Sequence, residues 1–129
     1  IAHTDMRSPK ERAIRESGVA SWVFYDPQRR LQFRLAGPTE IHHNDALADT
    51  QWASSKPMSR LCYQHACGPG EEVDPSKPMG SLDDGRAQFG VVRTTVGSID
   101  WLWLNHAGHR RIRFTFDKQG GMTAHWIAP

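Results

Sequence analysis

Leu31, Phe33 and Leu35 alternate with Gln32 and Arg34. A period of two predicts a strand with one packed face and one polar face, and Gln32 and Arg34 share the polar one. Residues 20–25, rich in aromatic and β-branched side chains, predict the strand before it, and Asp26-Pro27-Gln28-Arg29 supplies the turn of a hairpin. After Gly37-Pro38 the strand resumes through Glu40-Ile41-His42. Strand signals return in residues 89–96, 98–104, 110–116 and 122–127. In the third of these, Ile112, Phe114 and Phe116 take one face while Arg111, Arg113 and Thr115 take the other. The last two are joined by Asp117-Lys-Gln-Gly-Gly121, where glycines permit positive φ.

Helical signals are fewer. Ser8-Pro9-Lys10-Glu11 has the order of a capping box with proline at the first helical position, so a helix is expected from Pro9 to about Ser17, stopping at Gly18. Residues 44–53 open on a cap-like Asn44 and have helical content. Residues 64–86 hold most of the Gly and Pro punctuation and are expected to form a long irregular loop. Short antiparallel strands with small flanking helices make an α+β, mainly antiparallel protein built on a barrel.

At 129 residues the chain is the size of one domain, read as residues 1–129. No apolar run reaches the roughly 18 residues that cross a bilayer, and nothing at the start has the form of a secretory signal, so the expected location is cytoplasmic with no membrane partner. The formal charge is only +2 and the arginines are scattered, which argues against nucleic acid and suits a small anionic ligand. Two cysteines, Cys62 and Cys67, define no disulfide scaffold.

The candidate chemistry sits at both ends. Lys10 falls in a first helical turn, where free N–H groups and the helix dipole favour an anion; Thr4 and Ser8 add hydroxyls. Alone, Lys10 reads as an ordinary surface lysine. Trp101, Trp103, His109 and Arg111 make the stronger set, because an indole can wall a heteroaromatic ring and a guanidinium can bond its carbonyl oxygens. Any one of the tryptophans reads first as core. Cys62, His65 and Cys67 lack the paired C-x-x-C spacing of structural zinc sites, so no metal is expected. Rossmann, Walker and nucleophile-elbow patterns are missing from the sequence.

Taken in order, His3-Thr4-Asp5-x-x-Ser8-Pro9-Lys10, Gln32 in Leu-Gln-Phe-Arg-x-x-Gly37, and Trp101 followed by His109-Arg110-Arg111-Ile112-Arg113-Phe114 resemble the pyridoxamine 5'-phosphate oxidase-like family of FMN-binding split β-barrels. The resemblance implies FMN as cofactor, with His3, Thr4 and Ser8 near the flavin or its ribityl-phosphate tail and Lys10 on the phosphate. It implies that Gln32, Trp101 and Arg111 approach the flavin from the second subunit of a homodimer, with the site at the interface. His109 matches a histidine that touches the phosphorylated substrate in the oxidases. The implied function is a flavin-dependent oxidoreductase acting on a small molecule, the alternative a non-catalytic flavin-binding or ligand-sensing dimeric barrel.

Three departures shape the expectation. Pro9 stands where the oxidases have an arginine beside the lysine. Ala107 stands where they have a substrate-phosphate arginine, so the bidentate clamp on that phosphate is lost. The family also has upstream strands, and the barrel is accordingly read as N-terminally incomplete.

Overall fold

The computed structural model describes residues 1–78 and 80–129. Among them the elements run β1 (Ala2–Asp5), α1 (Pro9–Ser17), β2 (Val19–Asp26), β3 (Leu31–His42), α2 (Ala46–Ser54), α3 (Pro57–Arg60), β4 (Phe89–Thr94), β5 (Ser98–Trp103), β6 (Arg110–Phe116) and β7 (Met122–Ile127). The strand order is β1-β4-β3-β5-β6-β7, with β2 also on β3. The pairs β1–β4, β2–β3, β3–β5, β5–β6 and β6–β7 are antiparallel, as the alternating pattern predicts.

By its contacts the chain forms two compact units, Ile1–Gly18 with Glu40–Arg93, and Val19–Thr39 with Thr94–Pro129. The first is built around Phe89, Val91 and Ala48, which are wholly buried, with Leu47, Trp52 and Tyr63 packed against them. The Phe89 ring meets His3, Trp52 and Tyr63 at centroid distances of 4.8, 5.2 and 5.2 Å. Helix α2 is fixed at both ends. Asp45 Oδ1 accepts the Ala48 N–H at 2.9 Å, and the Arg60 guanidinium donates to the Trp52 and Ala53 carbonyls while lying 5.0 Å from the Trp52 ring centroid.

The second unit is the hairpin β2–β3 continued by β5, β6 and β7. Its register forms rows across the strands, and successive rows face opposite ways. One apolar row is Phe24–Phe33–Trp101–Ile112–Trp126. Its ends stay open, with Phe24 at 55% and Trp126 at 67% exposure.

Several local expectations are corrected. Ser8 is the N-cap of α1, but the capping box does not close: the Ser8 N–H goes to the Asp5 carbonyl, its hydroxyl lies 3.2 Å from that of Thr4, and Glu11 pairs with Arg15. The α2 cap is Asp45, not Asn44, because the Asp45 carboxylate reaches the free Ala48 N–H. Strand β3 does not break at Gly37-Pro38 but runs through it, since Pro38 still offers its carbonyl to Thr95 N at 2.9 Å. The strands expected to end at residues 96 and 104 end at Thr94 and Trp103.

The segment 64–86 is irregular in its described residues, as expected, but it is anchored. Its backbone pairs at His65 with Ser81, and Arg7 donates to the His65 and Ala66 carbonyls at 2.9 and 3.2 Å.

Candidate functional site

In the first unit, β1 delivers His3 and Thr4 and the turn after it launches α1. Antiparallel pairing with β4 sets His3 opposite Val91 and Thr4 opposite Gly90. His3 is exposed, with Nε2 3.3 Å from Gln51 Oε1. Thr4 and Ser8 are buried with their hydroxyls turned to one another, so they shape the turn rather than line an open surface. Lys10, the second residue of α1, is exposed, and among the described residues its ammonium has no partner. Proline at the preceding position removes one N–H from this helix end, where the dipole favours an anion.

Asp5 and Arg7 hold this turn and were missed by the sequence reading. Arg7 Nε and Nη2 donate to Asp5 Oδ1 and Oδ2 at 3.0 and 2.7 Å, and the Arg7 backbone N–H adds a bond to Oδ1 at 2.8 Å. Burial pushes the Asp5 carboxyl up, but the Arg7 hydrogen bonds outweigh it and hold the group below its ordinary value.

In the second unit the row Tyr25–Gln32–Leu102–Arg111–Ile127 brings Gln32 and Arg111 onto one face, on either side of Leu102. Two strand spacings, about 10 Å, separate them. Both are half-buried. Trp101 belongs to the neighbouring row and therefore faces the opposite side of the sheet from Gln32 and Arg111. The Arg111 side chain is not loose. Its Nε and Nη2 donate to Asp100 Oδ1 and Oδ2 at 2.8 and 2.7 Å, and Arg113 Nη2 adds a bond to Oδ2 at 3.2 Å. The Arg111 guanidinium, against the opposing pull of burial, holds the Asp100 carboxyl below its ordinary value.

His109 ends the turn between β5 and β6, which Asn105 organises: its carbonyl accepts the Gly108 N–H and its side-chain oxygen the Ala107 N–H. Gly108 at φ 127° takes a conformation closed to most side chains. The Asn105 N–H donates to His109 Nδ1 at 3.2 Å, and His109 is exposed. On the face shared by Gln32 and Arg111, the small side chains of Ser21, Ala36, Ser98 and Thr115 floor a cleft of about 580 Å³. The row Arg34–Asp100–Arg113 separates this cleft from Gln32, Leu102 and Arg111, which do not line it.

Residues 1–43 match the family model described as the pyridoxamine 5'-phosphate oxidase FMN-binding domain. The chain is similar in structure to a pyridoxamine 5'-phosphate oxidase-related, FMN-binding protein from Nostoc punctiforme PCC 73102, with a TM-score of 0.77 and 24% identity over 98% of this chain and 71% of that one. It is also similar to PhzG from Burkholderia lata 383, solved in complex with tetrahydrophenazine-1-carboxylic acid, with a TM-score of 0.72 and 19% identity over 98% of this chain and 67% of that one. The fold is that of the pyridoxamine 5'-phosphate oxidase-like split β-barrels. No curated protein matches the chain.

Within this split barrel the matched segment takes in His3, Thr4, Ser8, Lys10 and Gln32, whereas Trp101, His109 and Arg111 lie beyond it. Their case rests on geometry. Cys62, His65 and Cys67 line a separate cleft in the first unit, and no group of three or more His, Cys, Asp or Glu poised for a metal occurs among the described residues. No helix among them is long and apolar enough to cross a membrane.

Proposed function

We propose that this split barrel is an FMN-binding flavoprotein and a flavin-dependent oxidoreductase for a small molecule. The observation that carries the reading is the match of residues 1–43 to an FMN-binding domain, which takes in both Lys10 and Gln32. The donor set fits the group: an ammonium at the start of α1, without a partner among the described residues, suits a phosphate, and the Gln32 amide and Arg111 guanidinium suit the carbonyls and nitrogens of a flavin ring. FMN, when bound, supplies hydride acceptance and donation. The chain's part is to bind and orient. Lys10 of one copy would neutralise the phosphate, Gln32 and Arg111 of a second copy would hydrogen-bond the ring, and His109 would meet the substrate.

The partner we propose is a second copy of the chain, with the cofactor at the interface. Val23 and Tyr25, exposed at 60% and 54% on the face that carries Gln32 and Arg111, support it, because an exposed apolar patch beside a site marks an interaction surface. One observation favours the non-catalytic alternative: Ala107, placed where the oxidases carry a phosphate-binding arginine, offers that substrate nothing but a methyl group.

The test is a visible spectrum of the purified protein from about 300 to 550 nm, then FMN titration of the colourless form. Saturable binding weakened about tenfold or more by both Lys10→Ala and Arg111→Ala is the expected result, each change removing a charge-assisted contact. No flavin bands and no binding would refute the reading. Reoxidation of reduced FMN by oxygen or an organic acceptor no faster than in free solution would select the non-catalytic alternative.

A further inference from the structure

Asp100 stands in the middle of β5, between Ile99 and Trp101, with strands paired on both sides. Aspartate is depleted in strands, and a residue that breaks a local rule in a central strand calls for a specific cause. The cause is visible in its bonds. Both carboxylate oxygens engage Arg111, which lies diagonally across the β5–β6 ladder, and one also takes Arg113. The Asp100 side chain is only 13% exposed, Arg111 is 26% exposed and Arg113 is 51% exposed. The pair is therefore the inner part of the cluster and Arg113 its rim.

A guanidinium is a planar fork. Asp100 occupies the edge formed by Nε and Nη2, which fixes the plane of the fork and leaves Nη1, without a partner among the described residues, to point elsewhere. We propose that Asp100 is the positioning residue of the flavin site, holding Arg111 so that its free Nη1 edge meets the flavin ring above Leu102, on the face shared with Gln32. This rests on the FMN reading. The carboxylate also leaves one net positive charge on the trio with Arg111 and Arg113, so that binding draws on directed hydrogen bonds more than on bulk positive charge. An arginine ordered before binding loses less rotamer freedom when the ring arrives.

Positioning and simple charge balance predict opposite results for Asp100→Asn. If the carboxylate only tempered the arginines, removing its charge would tighten FMN. If it positions Arg111, FMN binding weakens by about three- to tenfold, the equivalent of freeing one long side chain. FMN affinity is measured by flavin fluorescence for the wild type, Asp100→Asn, Arg111→Ala and the double variant, with the melting temperature of each FMN-free protein and the visible circular dichroism of each saturated one. We expect the weakening in Asp100→Asn to vanish in the Arg111→Ala background and the flavin dichroism to change in Asp100→Asn at saturation. Arg113→Ala, which removes only the rim contact, should stay within about twofold of wild type. Should Asp100→Asn fail to fold, Asp100→Glu carries the same test, since a longer carboxylate keeps the charge and shifts the fork.

The idea is overturned if wild type binds FMN and the Asp100 variant binds equally or more tightly, or if its loss persists undiminished without Arg111. Absence of FMN binding by wild type would instead overturn the flavin reading itself, and this inference with it.

Discussion

Replacing Arg7 with alanine should destabilise the protein by about 2 kcal/mol at neutral pH, and the loss should fade in acid. Arg7 makes two charge-assisted bonds to Asp5 and two more to the carbonyls of His65 and Ala66. Bonds of the charged kind contribute about 1.5 to 3 kcal/mol each, net of the water they replace. The Asp5 side chain is 7% exposed and stays charged and buried in the variant, whereas the Arg7 position is 22% exposed, so solvent recovers part of the loss and about 2 kcal/mol remains. The pH dependence follows from the direction of the Asp5 shift. Burial raises its pKa and the Arg7 bonds lower it further than burial raises it, so in the wild type the folded value lies below the ordinary aspartate value. The stability this confers is complete above about pH 4 and is lost as pH falls through the depressed value. In Arg7→Ala the lowering bonds are gone, burial dominates, and the carboxyl takes up its proton sooner, which relieves the penalty. Urea unfolding of both proteins at a series of pH values between about 3 and 7 measures the gap directly. A gap below about 0.5 kcal/mol at pH 7, or one that stays constant down to pH 3, would refute the argument.

Phe89→Ala should cost about 3 to 5 kcal/mol in urea unfolding, because the ring is fully buried among His3, Trp52 and Tyr63 and its loss opens a cavity; a cost under about 1 kcal/mol would mean the site collapses freely. Gly37→Ala should cost about 3 kcal/mol or fail to fold, since a Cβ there would strike the Thr95 carbonyl oxygen and come within 2.7 Å of the Gly97 nitrogen, both backbone atoms that cannot swing aside. Wild-type stability in that variant would show that the strand shifts at little cost.

The strand rows were legible because a period of two places alternate residues on opposite faces: Leu31, Phe33 and Leu35 share one face of β3 and Gln32 and Arg34 the other, although Gln32 is as buried as its apolar neighbours. What the pattern could not say was which polar atoms satisfy one another. Ser8 and Glu11 have the spacing of a capping box, but spacing does not rank partners, and the Thr4 hydroxyl and Arg15 guanidinium, each four residues away, took them. Asn44 and Asp45 both look like caps, and only the carboxylate with its backbone in extended geometry meets the Ala48 N–H. The same limit hid Asp100. Its partner is eleven residues along the chain, and the two meet only through the register of the β5–β6 ladder. Register also separates Trp101 from Gln32 and Arg111, which a list of residue types groups together. The consequence falls on the flavin reading. Lys10 and Gln32 lie within the segment that matches an FMN-binding domain. Arg111 lies outside it, and its claim rests on geometry, a guanidinium held by a carboxylate through Nε and Nη2 with its Nη1 edge left without a partner among the described residues. If the flavin contact on this face depends on that edge, Arg111→Lys should bind FMN nearly as poorly as Arg111→Ala, because a lysine keeps the charge but lacks the fork; full recovery with lysine would mean that charge alone sufficed.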